Sequence, residues 1–252
     1  MDIPINQDYI EAVALISVRI AVFLIIAPPF SYTTFPMQLK AGLSVMLAMV
    51  IAPTVAHGHL VAGTGPFLLD IVIEATTGAV LGFLVYVTFA AIQSAGALLD
   101  SFGGFQAAQQ YDPEAQVDGA QFSRLYQMTA LALMFASDGY QLVIGGLVRS
   151  FHAVPLTVLV DLSTVAPTLA ESITQLLVAA LQIAGPIIVV LFLANVALGL
   201  LSRVAPALNA YTLGPPAFAL IAIVLGAISF VALPDVVENL ANQAGQLIAG
   251  GS

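Results

Sequence analysis

Asp70 and Glu74 stand four residues apart, on one face of any helix that carries them. Two carboxylates so placed could hold a proton or a cation. They also lie near the start of an apolar run, where acids suit the helix dipole and stay hydrated, and that wet reading is the simpler one. Asp138 lies inside another apolar run, and Gly139 beside it points to a local break rather than a deeply buried charge. Arg19 sits about two turns into the first apolar run. An ionisable group at membrane depth is a functional hypothesis by default. The structural reading is that Glu11 or a neighbouring helix neutralises Arg19 for assembly.

No catalytic constellation emerges from the remaining polar residues. His57 and His59 share one glycine-bearing stretch and His152 stands alone, without metal-ligand spacing on a helix face. The absence of cysteine removes disulfides, thiolate metal sites and thiol nucleophiles. No Gly-x-x-x-x-Gly-Lys phosphate loop is present. Neither an enzyme, a metal centre nor a bound cofactor is expected. The net charge of −9 comes from scattered single residues with no basic block, so nucleic acid has no electrostatic foothold.

The elements that carry these residues belong to a membrane. Arg203 separates two uncharged stretches of 31 residues each, Ser172 to Ser202 and Val204 to Pro234. Each exceeds the roughly 20 apolar residues that cross a bilayer core. Only 8% of the chain is charged and 60% is hydrophobic, against about 25% charged in a soluble domain. The apolar runs are continuous, whereas barrel strands alternate over about 10 residues. An all-α integral membrane protein follows, a single embedded domain over residues 1–252 with about six long, kinked hydrophobic helices.

Asp8 and Glu11 form a capping-box-like start to the first helix, which should run to about Pro28. The chain opens on acids and its first base is Arg19, so no cleavable signal peptide is expected. The second helix should run from Lys40 to about Pro53, and the third from Phe67 to Leu99, longer than one span requires and so either tilted or broken near Gly78 or Gly82. These two form a Gly-x-x-x-Gly pair, which suits close helix packing. Asp100 to Gln121 is the longest polar stretch. The fourth helix covers about Phe122 to Ser150, and the fifth runs from Thr168, kinked at Gly185-Pro186, to the Arg203-Val-Ala-Pro206 stop. Gly214-Pro215-Pro216 should interrupt the next run, leaving a sixth helix from Ala217 to Leu233. Val237, Leu240, Ala244 and Leu247 then mark a short amphipathic helix for an interface or a partner. Alternation of six spans places Lys40, Arg124 and Arg203 on one side and Arg149 on the other, which favours an N-out orientation.

The Arg203 segment, Asn195-Val-Ala-Leu-Gly199-Leu-Leu-Ser-Arg203-Val-Ala-Pro206-Ala-Leu-Asn209, resembles the signature of the FliR family of flagellar export-gate proteins and of their injectisome counterparts, SctT. Arg19, Ala27-Pro28, Pro36, Lys40-Ala-Gly42 and Ala52-Pro53 are similar to the family's N-terminal pattern. Gly78 to Gly82, Gly96 and Asp100 match its third helix, and Asp112-Pro113, Asp138-Gly139, Ser150-Phe151-His152 and Pro155 its middle. Ala207 stands where the family usually has glutamine.

The resemblance implies a subunit of the flagellar type III export gate in the bacterial inner membrane, at the flagellar basal body. It implies FliP-like and FliQ-like partners, an FlhB-like switch protein outside them, lipid around them, and unfolded polypeptides as cargo. It also implies a FliP-like half over 1–165 and a FliQ-like hairpin with its amphipathic tail over 166–252. Many apolar helices would then meet other subunits, and Arg19, Lys40, Gly78, Gly82, Gly199, Arg203 and Pro206 become assembly and packing residues. Arg203 could bond carbonyls freed where Pro206 breaks the helix.

Ser101 to Gly119 is either a plain loop or a plug folded into the pore, its place in the family. Gln106, Gln109 and Gln110 can hydrogen-bond without charge, beside Tyr111. Gly103-Gly104 lets the chain turn back, and Asp112-Pro113 gives a rigid corner. Two other readings stand beside the flagellar export gate, the second from a different class. One is an injectisome gate subunit. The other is a small proton- or ion-coupled transporter using Asp70, Glu74 and Asp138. A lipid-modifying enzyme lacks any acid–base or metal cluster.

Overall fold

A computed structural model describes residues 7–32, 35–55, 64–105, 121–158, 162–205 and 210–249. Among these residues the regular structure is entirely helical: α1 (Gln7–Ile26), α2 (Met37–Val55), α3 (Thr64–Phe102), α4 (Gln121–Ala136), α5 (Gly139–Ala153), α6 (Leu162–Val204), α7 (Ala210–Ser229) and α8 (Leu233–Ile248). Four of them, α1, α2, α3 and α6, are long and apolar enough to cross a membrane. The pairs α4–α5 and α7–α8, each sharply bent at a short break, raise the number to as many as six. This is an all-α integral membrane protein.

Proline sets several boundaries. Ala27-Pro28-Pro29 follows the last residue of α1, because a proline ring cannot accept the next turn. The Pro36 carbonyl accepts the amides of Leu39 (3.0 Å) and Lys40 (3.3 Å), so α2 starts three residues before the expected Lys40. Of the two alternatives for α3, tilt or a break near Gly78 or Gly82, the break does not occur, and the helix runs unbroken for 39 residues. The fourth expected helix is two, α4 and α5, divided at Asp138 with φ 56°. α6 continues through Gly185-Pro186 as one 43-residue helix that begins six residues before the expected Thr168. Pro215 and Pro216 lie inside α7 rather than before it. Each removes one bond to the carbonyl four residues earlier, in the second turn of a helix that continues for thirteen residues beyond them.

The chain forms two compact units. The first comprises residues 1–88, 138–172 and 239–252. Its core is α1, buried at Ala12, Leu15, Ile16, Ile20, Phe23 and Leu24, a stripe at helical spacing. Around it stand α2, the first part of α3, α5 and the end of α8. The second unit comprises residues 89–137 and 173–238. There Ile92, Ala95 and Leu99 of α3, Tyr126 and Met134 of α4, Ala184 and Leu191 of α6 and Ala222 of α7 are buried.

Two helices show contrasting surfaces. The tail helix α8 buries Leu233, Val237, Leu240, Ala241, Ala244 and Ile248. Within the first unit it docks on α5, where a Cβ on Gly146 would strike Ile248 at 2.6 Å and one on Gly245 would meet the Leu142 carbonyl at 2.9 Å. Of the two uses expected for this amphipathic stripe, an interface or a partner, the chain itself supplies an interface, and the seam takes Ile248 where Leu247 was expected. α6 is the opposite case: between Ala166 and Val204 only Ser172, Ala180, Ala184, Ile187 and Leu191 are buried. Leu177, Leu181, Val189, Phe192, Leu193, Leu200 and Val204 are all exposed along it.

Candidate functional site

Arg19 and Glu74 are the most deeply buried charges among the described residues of the first unit. Its side chain and that of Glu74 are both 0% exposed, with Arg19 Nε donating to Glu74 Oε2 at 2.5 Å. Arg19 Nη1 donates to the Val154 carbonyl at 2.9 Å, and the guanidinium lies 4.3 Å from the centroid of the Phe151 ring. The Thr157 amide donates to Glu74 Oε1 at 2.8 Å. Arg19 Nη2 is buried with no hydrogen-bond partner among the described residues. Four elements meet here: α1, α3, α5 through Phe151, and the connector after α5.

Gly78 makes the approach possible. A Cβ at this position would fall on the carbonyl oxygen of Arg19 itself, and one at Gly82 would lie 3.0 Å from Ile26 and 3.2 Å from the Phe23 carbonyl. The glycine pair therefore seats α3 on α1 inside this chain. Glu74 lies one turn before Gly78 on the same face, so backbone contact at Gly78 delivers the carboxylate to Arg19.

The wet reading of Glu74 is therefore corrected. Its carboxylate is buried and neutralised by Arg19, and both of its oxygens accept. Glu74, not Glu11, is the partner of Arg19. Asp70, one turn earlier, is partly exposed, and Asp138 is exposed at the helix break. The three carboxylates of the transporter reading thus occupy three different environments. His152 is exposed, and no group of three potential metal ligands occurs among the described residues.

A second polar node lies in the second unit. Asp100 is 1% exposed and its two carboxylate oxygens accept the amides of Phe122 (2.8 Å) and Ser123 (2.9 Å). These are orphan donors at the start of α4, and a carboxylate complements the positive end of the helix. Asp100 thus pins the end of α3 to the start of α4, across the polar stretch that joins them. Gly96 permits the contact, since a Cβ there would lie 2.6 Å from the Ser123 Cα. An aromatic ladder, Phe105–Phe122–Tyr126–Phe230, extends from this point with edge-on neighbours. Tyr126 and Ser229 share a buried hydroxyl–hydroxyl bond.

The remaining expected residues are less engaged. Gly103 packs near Ala222, and Gly104, with φ 77°, lies near Pro215. Lys40 is buried in α2, and no ion pair among the described residues includes it. Arg203 and Gly199 are exposed on α6, and a Cβ on Gly199 would meet nothing within 4 Å. Gln106, Gln109, Gln110, Tyr111, Asp112, Pro113 and Pro206 lie outside the described residues, as do His57 and His59.

The profile of bacterial export proteins, family 1, matches residues 10–244. The chain belongs to this family. Its relatives in the family include the flagellar biosynthetic protein FliR of Escherichia coli K12, 28% identical over 231 residues that cover 92% of this chain and 88% of the relative. FliR of Bacillus subtilis 168 is 27% identical, over 83% of this chain and 82% of its own length. The surface presentation of antigens protein SpaR of Salmonella typhimurium LT2 is 29% identical, over 94% and 92%. Arg19, Glu74 and Asp100 all lie within the matched part of this family-1 export protein.

Proposed function

We propose that this chain is the FliR-type subunit of a flagellar type III export gate, a structural and conducting component rather than an enzyme. The observation that carries the reading is similarity to flagellar FliR proteins over most of both chains. The SpaR-like and Yop translocation relatives place an injectisome gate subunit as the second reading. In the proposed gate the chain lies in the bacterial inner membrane, at the flagellar basal body, with FliP-like and FliQ-like subunits and an FlhB-like protein. Unfolded flagellar substrates would cross through the shared pore.

The surface of α6 supports a multi-subunit setting. Its 43 residues extend about 65 Å at about 1.5 Å per residue, against about 30 Å of hydrocarbon. The apolar side chains exposed from Ile173 to Val204 therefore outrun the lipid that could cover them. Residues 1–165 would form the FliP-like half and 166–252 the FliQ-like hairpin and tail. Gly199, Arg203 and Pro206 would serve subunit contacts. The stretch after Gly103-Gly104, with Gln106, Gln109, Gln110, Tyr111 and Asp112-Pro113, would form the plug.

Co-expression tests the reading. The chain should be recovered in mild detergent as one complex with FliP-like and FliQ-like proteins from the same genome, and should aggregate when expressed alone. A well-behaved monomer or homo-oligomer that excludes both partners would contradict it.

A further inference from the structure

Thr157 has a backbone φ of 62°. This left-handed region is one that a β-branched residue adopts only under constraint. The Arg19–Glu74 pair holds the segment at both ends. Glu74 Oε1 accepts the Thr157 amide at 2.8 Å, and three residues earlier Arg19 Nη1 holds the Val154 carbonyl at 2.9 Å. One cation therefore grips a carbonyl, and one anion grips an amide, of the same short segment. The two side chains are themselves joined, and both are 0% exposed. Leu156, between the gripped groups, is 3% exposed.

A pair that served only to neutralise Arg19 would need no bond to this connector. Here each partner uses a further atom on it, so all three contacts must form or open together. Parting the pair would leave two buried charges without each other and break two part-buried bonds to the connector, which makes the partly opened state unfavourable. The left-handed Thr157 pulls the other way, since its backbone relaxes once its amide is released.

We propose that Arg19 and Glu74 form a latch on the 154–157 connector between α5 and α6. Latched, the connector is held left-handed at Thr157 and Leu156 is covered. Unlatched, Thr157 returns to an ordinary backbone conformation, Leu156 is uncovered, and the chain leaves α5 in a new direction. Because Gly78 seats α3 on α1 at Arg19 itself, the latch closes only when these two helices are in register. The connector thereby reports the packing of α1 on α3.

The test uses the full chain in its native membranes. The protein has no cysteine, so Leu156→Cys supplies a single thiol for N-ethylmaleimide. In the otherwise unchanged protein this thiol should react slowly. Glu74→Gln, which keeps the volume and removes the charge, should speed labelling by about tenfold or more, a measure of local opening. Arg19→Lys, which cannot reach both Glu74 and Val154, should give an intermediate rate. Adding Thr157→Gly to Glu74→Gln should slow labelling again, because glycine takes the left-handed conformation without strain. Adding Val158→Gly should not. A parallel Ile92→Cys thiol, buried elsewhere on α3, should stay unreactive in every variant. Unchanged labelling in both Glu74→Gln and Arg19→Lys would overturn the latch. So would equal exposure of Ile92→Cys, or failure of Thr157→Gly to slow the reaction.

Discussion

Gly78→Ala is the smallest change that tests how α1 and α3 are held. The added methyl would fall on the Arg19 carbonyl oxygen, backbone that cannot turn aside as a side chain could. Overpacking of this kind costs about 1–3 kcal/mol. Alanine returns at most about 1 kcal/mol through its helix propensity. The larger loss follows from geometry. If α3 retreats by the width of a methyl, Arg19 Nε and Glu74 Oε2, now 2.5 Å apart, separate in a site that excludes water. Breaking a buried pair costs about 3–5 kcal/mol. The net loss is about 3–7 kcal/mol, and a chain of this size shifts its melting midpoint by about 2–4 °C per kcal/mol. Gly78→Ala should therefore lower the midpoint of heat-induced aggregation in mild detergent by at least about 6 °C. Gly145→Ala is the matched control, because a Cβ there meets nothing within 4 Å. It should be neutral or slightly stabilising. Midpoints for the two variants within about 1 °C of each other would refute the reasoning.

Asp100→Ala removes the acceptor for the Phe122 and Ser123 amides. It should cost about 1–3 kcal/mol for each donor left buried and speed hydrogen exchange at the start of α4; unchanged exchange at these two amides would count against the cap. Gly146→Leu should lift the end of α8 from α5, seen as faster carboxypeptidase trimming of the tail, with trimming at the wild-type rate as the contrary result. Arg203→Ala should lower the yield of assembled complex, because Arg203 is exposed on a helix proposed to face partners; normal assembly with no export would reassign it to conduction. Deleting Gln106 to Tyr111 should leave the complex assembled but the membrane leaky to small ions, and an intact barrier at normal complex level would remove the plug assignment.

The class of the protein was legible because composition alone decides it: long uncharged runs can only be membrane helices. Gly139 rightly marked the break at Asp138, since a glycine beside an acid in an apolar run signals a local turn. The interior of the long helices was less legible. Gly78 and Gly82 offered a break as one reading of a helix longer than one span, yet α3 runs through them. For Gly78 and Gly82 the reason is that their missing side chains serve contact with α1 rather than bending. Glu74 was misread for a related cause. Its position near a helix start favours hydration, but its shared face with Gly78 carried the opposite signal, since whatever helix touches Gly78 must also meet Glu74. The lone cation deep in the first apolar run was the partner available. The cap from Asp100 left no local mark, because it joins residues 22 and 23 apart in sequence. The tail helix showed its stripe plainly, and the sequence could not say whether a partner or the chain itself would fill it.

Export through the intact organelle tests the central claim most directly. In the source bacterium, deletion of the gene should abolish the appearance of flagellar filament subunits in the medium, while their synthesis inside the cell continues. Expression of the wild-type chain should restore secretion. Undiminished secretion of filament subunits by the deletion strain would contradict the assignment of this protein as a subunit of the flagellar export gate.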